Sequence, residues 1–291
     1  INLTSGELTP EPLNMEWAND YIGERGLATK YLWENMDPKA DAMSPENALI
    51  FATGPLTGTN ASTSGRYAVV TKGPLTGAIA CSNSGGKFGA ELKYAGFDLL
   101  LIEGRSEKPV YLLIEGDEIS LVSADKIWGK TVWETDAWIK KQHHNPMLKI
   151  ATIGVAGERG VRYAAVVNDL HRAAGRSGVG TVMGSKNLKA IAIRGTGGVR
   201  VKDPKRFMEV TDEMKNLLAK STGGLTKYGT NAMMDTMQEF GGLPTNNFQQ
   251  VQFDGADKID AKAMLKTDET GHTNLLTNKA CFGCTIACGR I

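Results

Sequence analysis

Apolar and polar positions alternate along this chain in short blocks, and the blocks predict many small elements. Asn47 to Thr53 (NALIFAT) is a brief apolar run bounded by polar and Gly-Pro residues, the pattern of a buried strand. From Tyr67 to Gly104 the pattern predicts a strand, a turn, a second strand and a loop of small residues. A short helix from about Phe88 and an apolar strand, Leu99 to Ile102, follow. Tyr163 to Gly195 has the same order: a Tyr-Ala-led strand, a small-residue loop, a helix, and the apolar strand Ala190 to Ile193. Setting Gly104 against Gly195 superposes Ile102 on Ile193 and Gly89 on Gly180, and places residues 82–86 against 173–177. The expectation is an internal duplication, with related halves at about 60–104 and 160–195. Each half would present a Gly-lined loop to one ligand that is itself roughly two-fold.

Elsewhere the pattern predicts a strand–turn–strand at the N-terminus with its turn at Ser5-Gly6, and helical spacing over Glu16–Asn35 interrupted by Gly23 and Gly26. Residues 109–122 read as a hairpin turning near Gly116-Asp117. Asp125 to Lys141 reads as a helix whose Trp128, Trp133 and Trp138 are expected in a core. Lys149 to Ile153 reads as a strand. After Gly195 the texture changes, which sets a boundary near residues 196–203. Asp203-Pro204 supplies an N-cap and first-turn pair for a helix to about Lys220, with Phe207, Val210, Met214 and Leu217 on one stripe. A second helix, about Thr230 to Phe240, carries Met233, Met234 and Met237, expected in a core, and stops at Gly241-Gly242.

Length and composition narrow the partners. A chain of 291 residues allows one large or two smaller domains. A net charge of +1 gives no electrostatic reason to expect nucleic acid or an anionic membrane. No apolar run approaches the roughly 20 residues needed to span a bilayer. Four cysteines, three of them in the last eleven residues, do not form a secreted disulfide framework, so a cytoplasmic location is expected.

Candidate chemistry sits in two places. Asn168 to Gly184 (NDLHRAAGRSGVGTVMG) sets Arg172 and Arg176 among small residues. Such a loop can turn several N–H groups toward one anion, and guanidiniums match phosphate oxygens with paired donors. A Gly-rich turn with solvated arginines is the alternative. The spacing is neither a Walker loop, since Ser185 precedes Lys186, nor a Rossmann fingerprint, since Gly178, Gly180 and Gly184 run G-x-G-x-x-x-G. His143 and His144 precede a Pro-containing polar turn and are expected to be inert. His171 is open to a ligand contact or a structural role. The second place is Cys281-Phe-Gly-Cys284-Thr-Ile-Ala-Cys288, expected as a compact turn plus helix. Thiolates there suit an iron–sulfur cluster or zinc, but a second Cys-x2-Cys knuckle is lacking. A four-iron cluster needs a fourth ligand, and the remaining cysteine, Cys81, lies far back in the chain.

Taken together, NSGGKFGAELKYAGFD (Asn83–Asp98), NDLHRAAGRSGVGTVMGSKNLKAI (Asn168–Ile191) and the three terminal cysteines resemble the tungsten-containing aldehyde:ferredoxin oxidoreductase family over essentially the whole chain. The resemblance implies an α+β fold: a pseudo-two-fold pair of largely antiparallel β-sheets with short helices, forming a cofactor base over residues 1–200. The start of an all-α domain would follow over 201–291. It implies a tungsten (or molybdenum) bis-pterin, with the pterin phosphates joined through Mg2+. By resemblance, Arg66, Asn83 and Gly85 from the first half and Arg172, Ala173, Gly175 and Arg176 from the second contact the cofactor. Asn83 and Ala173 would offer carbonyls to the magnesium, and Cys281, Cys284 and Cys288 would hold three corners of a [4Fe–4S] cluster. The activity implied is oxidation of a small aldehyde to a carboxylic acid, with ferredoxin or another electron-transfer subunit as partner and a homo- or hetero-oligomer as assembly. Family members continue past the third cysteine, so this chain is expected to be a part of a longer protein, with the fourth cluster ligand, the substrate pocket and the acid–base residues outside it. Two kinds of alternative stand beside this. One is a family member acting on an aromatic acyl thioester, a sugar or a carboxylic acid. The other is a non-enzymatic protein, either an iron–sulfur electron-transfer subunit or a zinc-stabilised binding module.

Overall fold

Every residue of the LIFAT run is buried, because its strand is covered on both faces. The computed structural model describes residues 1–291, which divide into two compact units: 1–59 with 63–202, and 60–62 with 203–291. In the first unit the helical pattern of residues 16–35 is two helices, α1 (Met15–Tyr21) and α2 (Glu24–Asn35). There follow β1 (Leu49–Thr53), β2 (Tyr67–Lys72), β3 (Ile79–Ser84), α3 (Phe88–Tyr94) and β4 (Leu99–Ile102). Then come β5 (Val110–Glu115), β6 (Glu118–Ser123), α4 (Val132–Gln142), β7 (Lys149–Thr152) and α5 (Val155–Glu158). The unit closes with β8 (Val166–Asn168), β9 (Arg172–Ala174), α6 (Val179–Ser185) and β10 (Leu188–Arg194).

Two sheets result. The first has the order β3-β2-β1-β4, and the second β6-β5-β10-β7-β8-β9. The first order recurs inside the second as β9-β8-β7-β10, and each of these pairings is antiparallel. Both ends of α3 and α6 are displaced by the same interval that aligns Gly104 with Gly195. The hairpin β5–β6 is extra, and β5 joins β10 in the one parallel pairing.

Alternation along each strand explains the layers. Leu49, Phe51, Tyr67 and Val69 face a core shared with Leu112, Ile114, Ile191 and Ile193 of the second sheet and with Phe88, Leu92, Val182 and Met183 of α3 and α6. The opposite side chains, Ile50, Ala52, Ala68 and Val70, pack on Ala28 and Leu32 of α2. Tyr111, Ile150, Ala190 and Ala192 pack on Ile139 of α4. Strands buried on both faces have no polar side to show, hence the unbroken apolar runs. Phe51, Tyr67 and Phe88 form an aromatic triangle with centroids 4.9–6.2 Å apart; each such side chain contributes roughly 1.5–3 kcal/mol by burial.

A bulge between Leu188 and Ala190 makes Lys189 the extra residue, so Leu188 and Ile191 reach the same core despite their odd spacing. Lys189 is fully buried, ion-paired with Glu158, and donates to Lys130 O at 2.8 Å. Glu91 of α3 ties the two halves, accepting from Arg194 Nη1 at 2.6 Å and Gly195 N at 3.1 Å.

Several expectations need correction. The N-terminal strands are single bridges, Asn2 to Glu7 and to Glu103, around the Ser5-Gly6 turn. The helix expected from Asp125 begins at Val132, where Thr131 and Glu134 form a capping box. Trp133 is exposed and only Trp138 packs on the core beside Tyr111. In the second unit α7 (Pro204–Ser221) starts at its Asp203 cap, but Val210 and Leu217 of its stripe are exposed and Thr211 is its buried residue. The single helix expected over 230–240 is α8 (Gly223–Tyr228), a 3-10 turn over 229–233 and α9 (Met234–Glu239), because Gly229 takes a positive φ of 64°. Met233 is exposed, and neither α8 nor α9 has a buried residue. The short helix α10 (Ala261–Leu265) comes later, capped by Asp260. No helix is long and apolar enough to cross a membrane.

Lys186 supplies a test of the first unit. Its side chain is wholly buried and donates to Gly104 O at 2.9 Å and Pro45 O at 3.3 Å, and burial lowers its pKa to about 8. The unfolded chain holds this proton up to about pH 10.4, so folding releases it between the two values and stability rises with pH across that window. Lys186→Met should flatten this rise by about 2 kcal/mol, measured by denaturant unfolding of both proteins at pH 7.5 and 10.

Candidate functional site

The two sheets end their duplicated order on matching edges, β3 in the first and β9 in the second. Along β3 the small side chains Ala80, Ser82 and Ser84 are buried, while Ile79 and Asn83 are exposed and Cys81 is half-buried. The strands β8 and β9 form a tight hairpin in which Asn168 pairs with Arg172 across Asp169, Leu170 and His171. Asp169 and Leu170 both take positive φ, 49° and 62°.

Asn168 is buried, and its amide bonds in both halves. Its Oδ1 accepts from Tyr67 Oη at 2.9 Å and Ser84 Oγ at 2.6 Å. Its Nδ2 donates to Gly85 O at 2.9 Å and to Asp169 Oδ2 at 2.8 Å. The same Asp169 oxygen accepts the Lys87 N–H at 2.6 Å, and the Arg176 N–H donates to Ser82 Oγ at 3.2 Å. Residues 82–87 and 168–176 are therefore one surface built from both halves. Lys149 of β7 lies close enough to feel Asp169 and Glu91, but half-burial outweighs them and lowers its pKa.

Each residue expected at the site can be placed. Arg66 is exposed just before β2. Asn83 is exposed on β3, its Nδ2 donating to Glu24 Oε1 at 3.0 Å. Gly85 follows β3 and gives its carbonyl to Asn168. Arg172 opens β9 half-buried, and Ala173 beside it is exposed. Gly175 and Arg176 are exposed in the loop before α6. The residues of each half thus flank the Asn168 junction. Neither Arg66 nor Arg176 forms an ion pair within the chain. Their charge is available to an anion.

Two glycines separate what the chain needs from what a ligand would need. At Gly86 (φ 92°) a Cβ would lie 2.1 Å from Asp169 Oδ2, so glycine is required by the protein itself. At Gly175 a Cβ would meet only Ala173, at 3.8 Å, so the chain imposes no such demand. An open backbone there, beside uncommitted guanidinium charge, suits close approach by phosphate oxygens. On this observation the residues present fit a phosphate-bearing cofactor.

The cysteine segment lies between two short paired strands, β11 (Asn278–Lys279) and β12 (Gly289–Arg290). It is a looped segment without the expected helix: Cys284 N bonds Cys281 O at 3.2 Å, and Ala287 takes a positive φ of 50° that helix geometry forbids. Arg290 closes it, donating to Ala287 O at 2.7 Å and Thr226 O at 2.6 Å. Cys281, Cys284 and Cys288 are free, half-buried thiols, and no three His, Cys, Asp or Glu side chains are gathered as a metal site. His143, expected to be inert, hydrogen-bonds Tyr111 Oη at 2.6 Å, and His171 is exposed in the β8–β9 turn.

The roles of Asn168, Asp169, Ser82 and Ser84 were not anticipated. The only signal in the sequence was position, Asn168-Asp169 opening the Gly- and Arg-rich stretch.

Residues 1–195 match the family model described as aldehyde ferredoxin oxidoreductase, N-terminal domain, and residues 209–291 match aldehyde ferredoxin oxidoreductase, domains 2 and 3. The chain is 50% identical to a tungsten-containing aldehyde ferredoxin oxidoreductase of Pyrococcus abyssi, covering 100% of this chain and 47% of the relative. It is 30% identical to an aliphatic sulfonate oxidoreductase, WOR-like subunit, of Pyrococcus furiosus, covering 100% of this chain and 48% of that protein. Among solved structures, the active-site complex BamBC of benzoyl coenzyme A reductase with 1,5-dienoyl-CoA superposes with a TM-score of 0.85 at 29% identity, covering 100% of this chain and 46% of that one. The chain spans about half the length of the curated relatives it matches.

The contrast between the two glycines can be measured. Gly86→Ala should destabilise the protein by about 2 kcal/mol or more, through positive φ and collision with Asp169. Gly175→Ala should change stability by less than about 0.5 kcal/mol. Denaturant unfolding of both variants checks this.

Proposed function

Because this chain belongs to the aldehyde ferredoxin oxidoreductase family, we propose that its first unit is the base on which a tungsten bis-pterin sits, in an enzyme that oxidises aldehydes to carboxylic acids. The observation that carries the reading is the surface where residues 82–87 meet 168–176, flanked by Arg66 and Arg176, which have no internal ion-pair partner. When bound, the metal–pterin supplies an acceptor for the electron pair lost by the aldehyde and a centre that polarises oxygen.

The chain's own part is binding and orientation. Arg66, Arg172 and Arg176 hold phosphate oxygens through charge-assisted hydrogen bonds, each roughly twice as strong as a neutral one. Gly85 and Gly175 keep side chains out of the way of the ligand. Asn83 and Ala173, one from each half, offer carbonyl oxygens to Mg2+, a hard cation that prefers oxygen ligands. Cys281, Cys284 and Cys288 are the thiols for an iron–sulfur cluster, a role that rests on ligand softness and spacing. Ferredoxin or another electron-transfer subunit is the electron acceptor proposed.

Aldehyde is favoured as substrate because identity is 50% to an aldehyde-oxidising relative and 30% to an aliphatic sulfonate oxidoreductase subunit. A substrate panel assayed on the full-length protein separates these. An iron–sulfur subunit without pterin is the competing class, and it predicts iron without tungsten or molybdenum. In the full-length protein, Arg172→Ala or Arg176→Ala should each lower tungsten and pterin content severalfold while the unfolding transition stays in place. Elemental mass spectrometry with pterin fluorescence is the measurement, and full cofactor content in both variants would refute the assignment.

A further inference from the structure

The Asn168 side chain bonds simultaneously to the strands and loop of the first half and to the turn of the second. Its carboxamide has two acceptor sites and two donor N–H groups. All four are used, by Tyr67, Ser84, Gly85 and Asp169. Asp169 extends the junction by accepting the Lys87 N–H, so one pair of adjacent residues fixes the loop Ser84–Lys87 at three points. On either side stand Asn83 and Gly85 in one half and Arg172 and Ala173 in the other. A buried amide with every valence met is rigid, because moving either loop leaves a desolvated polar group unpaired. The contacts are tightly determined on the backbone side too, since Gly86 leaves no room for a Cβ against Asp169.

We infer that Asn168 is a positioning residue, setting the separation of the two cofactor-gripping loops before the cofactor arrives. A ligand held at two ends binds well only if both grips are already at the right distance, because otherwise part of its binding free energy is consumed in ordering them. Glu91 also joins the halves, but at α3 and Gly195 and not at the loops that carry the ligand contacts. The Arg176 N–H also joins these loops through Ser82 Oγ at 3.2 Å, but it is one bond where Asn168 makes three into the first half.

This rests on the pterin reading above, and the test separates the two. Full-length wild type, Asn168→Ala, Ser84→Ala and a control, Ile139→Ala, are compared for thermal midpoint, tungsten and pterin per chain, and hydrogen exchange of the purified protein. Ile139 is fully buried behind the second sheet, away from both loops, and lowers stability without touching the junction. Asn168→Ala is expected to lose at least fivefold in tungsten and pterin and to exchange at least tenfold faster at residues 84–87 and 173–177, with β1 and β7 unchanged. Ser84→Ala, which removes one of the four bonds, is expected to lose about twofold. Ile139→Ala should keep both components despite its lowered midpoint. Equal cofactor loss in Asn168→Ala and Ile139→Ala, or unchanged loop exchange in Asn168→Ala, overturns the inference. Wild type lacking tungsten and pterin would overturn the pterin reading instead, and loop exchange would then decide the role of Asn168. Should Asn168→Ala fail to fold, the same comparison with Ser84→Ala decides it.

Discussion

Burial of both faces of two sheets is the constraint from which the rest follows. A strand such as β1, apolar on both sides, is stable only with a layer above and a layer below. The sheets meet that need by sharing a core and taking α2 and α4 on their outer faces. With the faces consumed, polar chemistry is left to the edges. The candidate site accordingly lies where β3 and β9, the ends of the duplicated strand order, come together.

That arrangement also explains how charge is distributed. Inside the unit, Lys186 and Lys189 are buried and matched to carbonyls or to Glu158, and Glu91 is matched to Arg194. In the loops, Arg66 and Arg176 remain exposed without an acidic partner. An arginine satisfied internally would have to give up a partner to take a phosphate. One facing water surrenders only solvent.

Much of this was legible in the sequence, for a physical reason. The strands and helices of the duplicated halves are set by local period and by small residues at loops, both of which are written in order along the chain. The start of α3, the limits of β4 and the turn at Gly116 were readable in this way. Asn168 was not, because its partners Tyr67, Ser84 and Gly85 lie far away in sequence and nothing local to an asparagine tells of a hydroxyl brought by another sheet. Trp133 and the methionines of 233–237 misled for the converse reason: apolar spacing says which face is greasy, not whether anything lies against it. The cysteines were assigned a helix from four-residue spacing alone, which the positive φ of Ala287 rules out.

The duplicated arms are not of equal length. β2 and β3 run six residues each, whereas β8 and β9 run three each, and only the second sheet carries the added β5–β6 hairpin. A cradle with one long and one short arm has lost the mirror choice that equal arms would leave open. A guest with two equivalent ends would meet inequivalent walls there, so ends that are identical in solution would become distinguishable once bound.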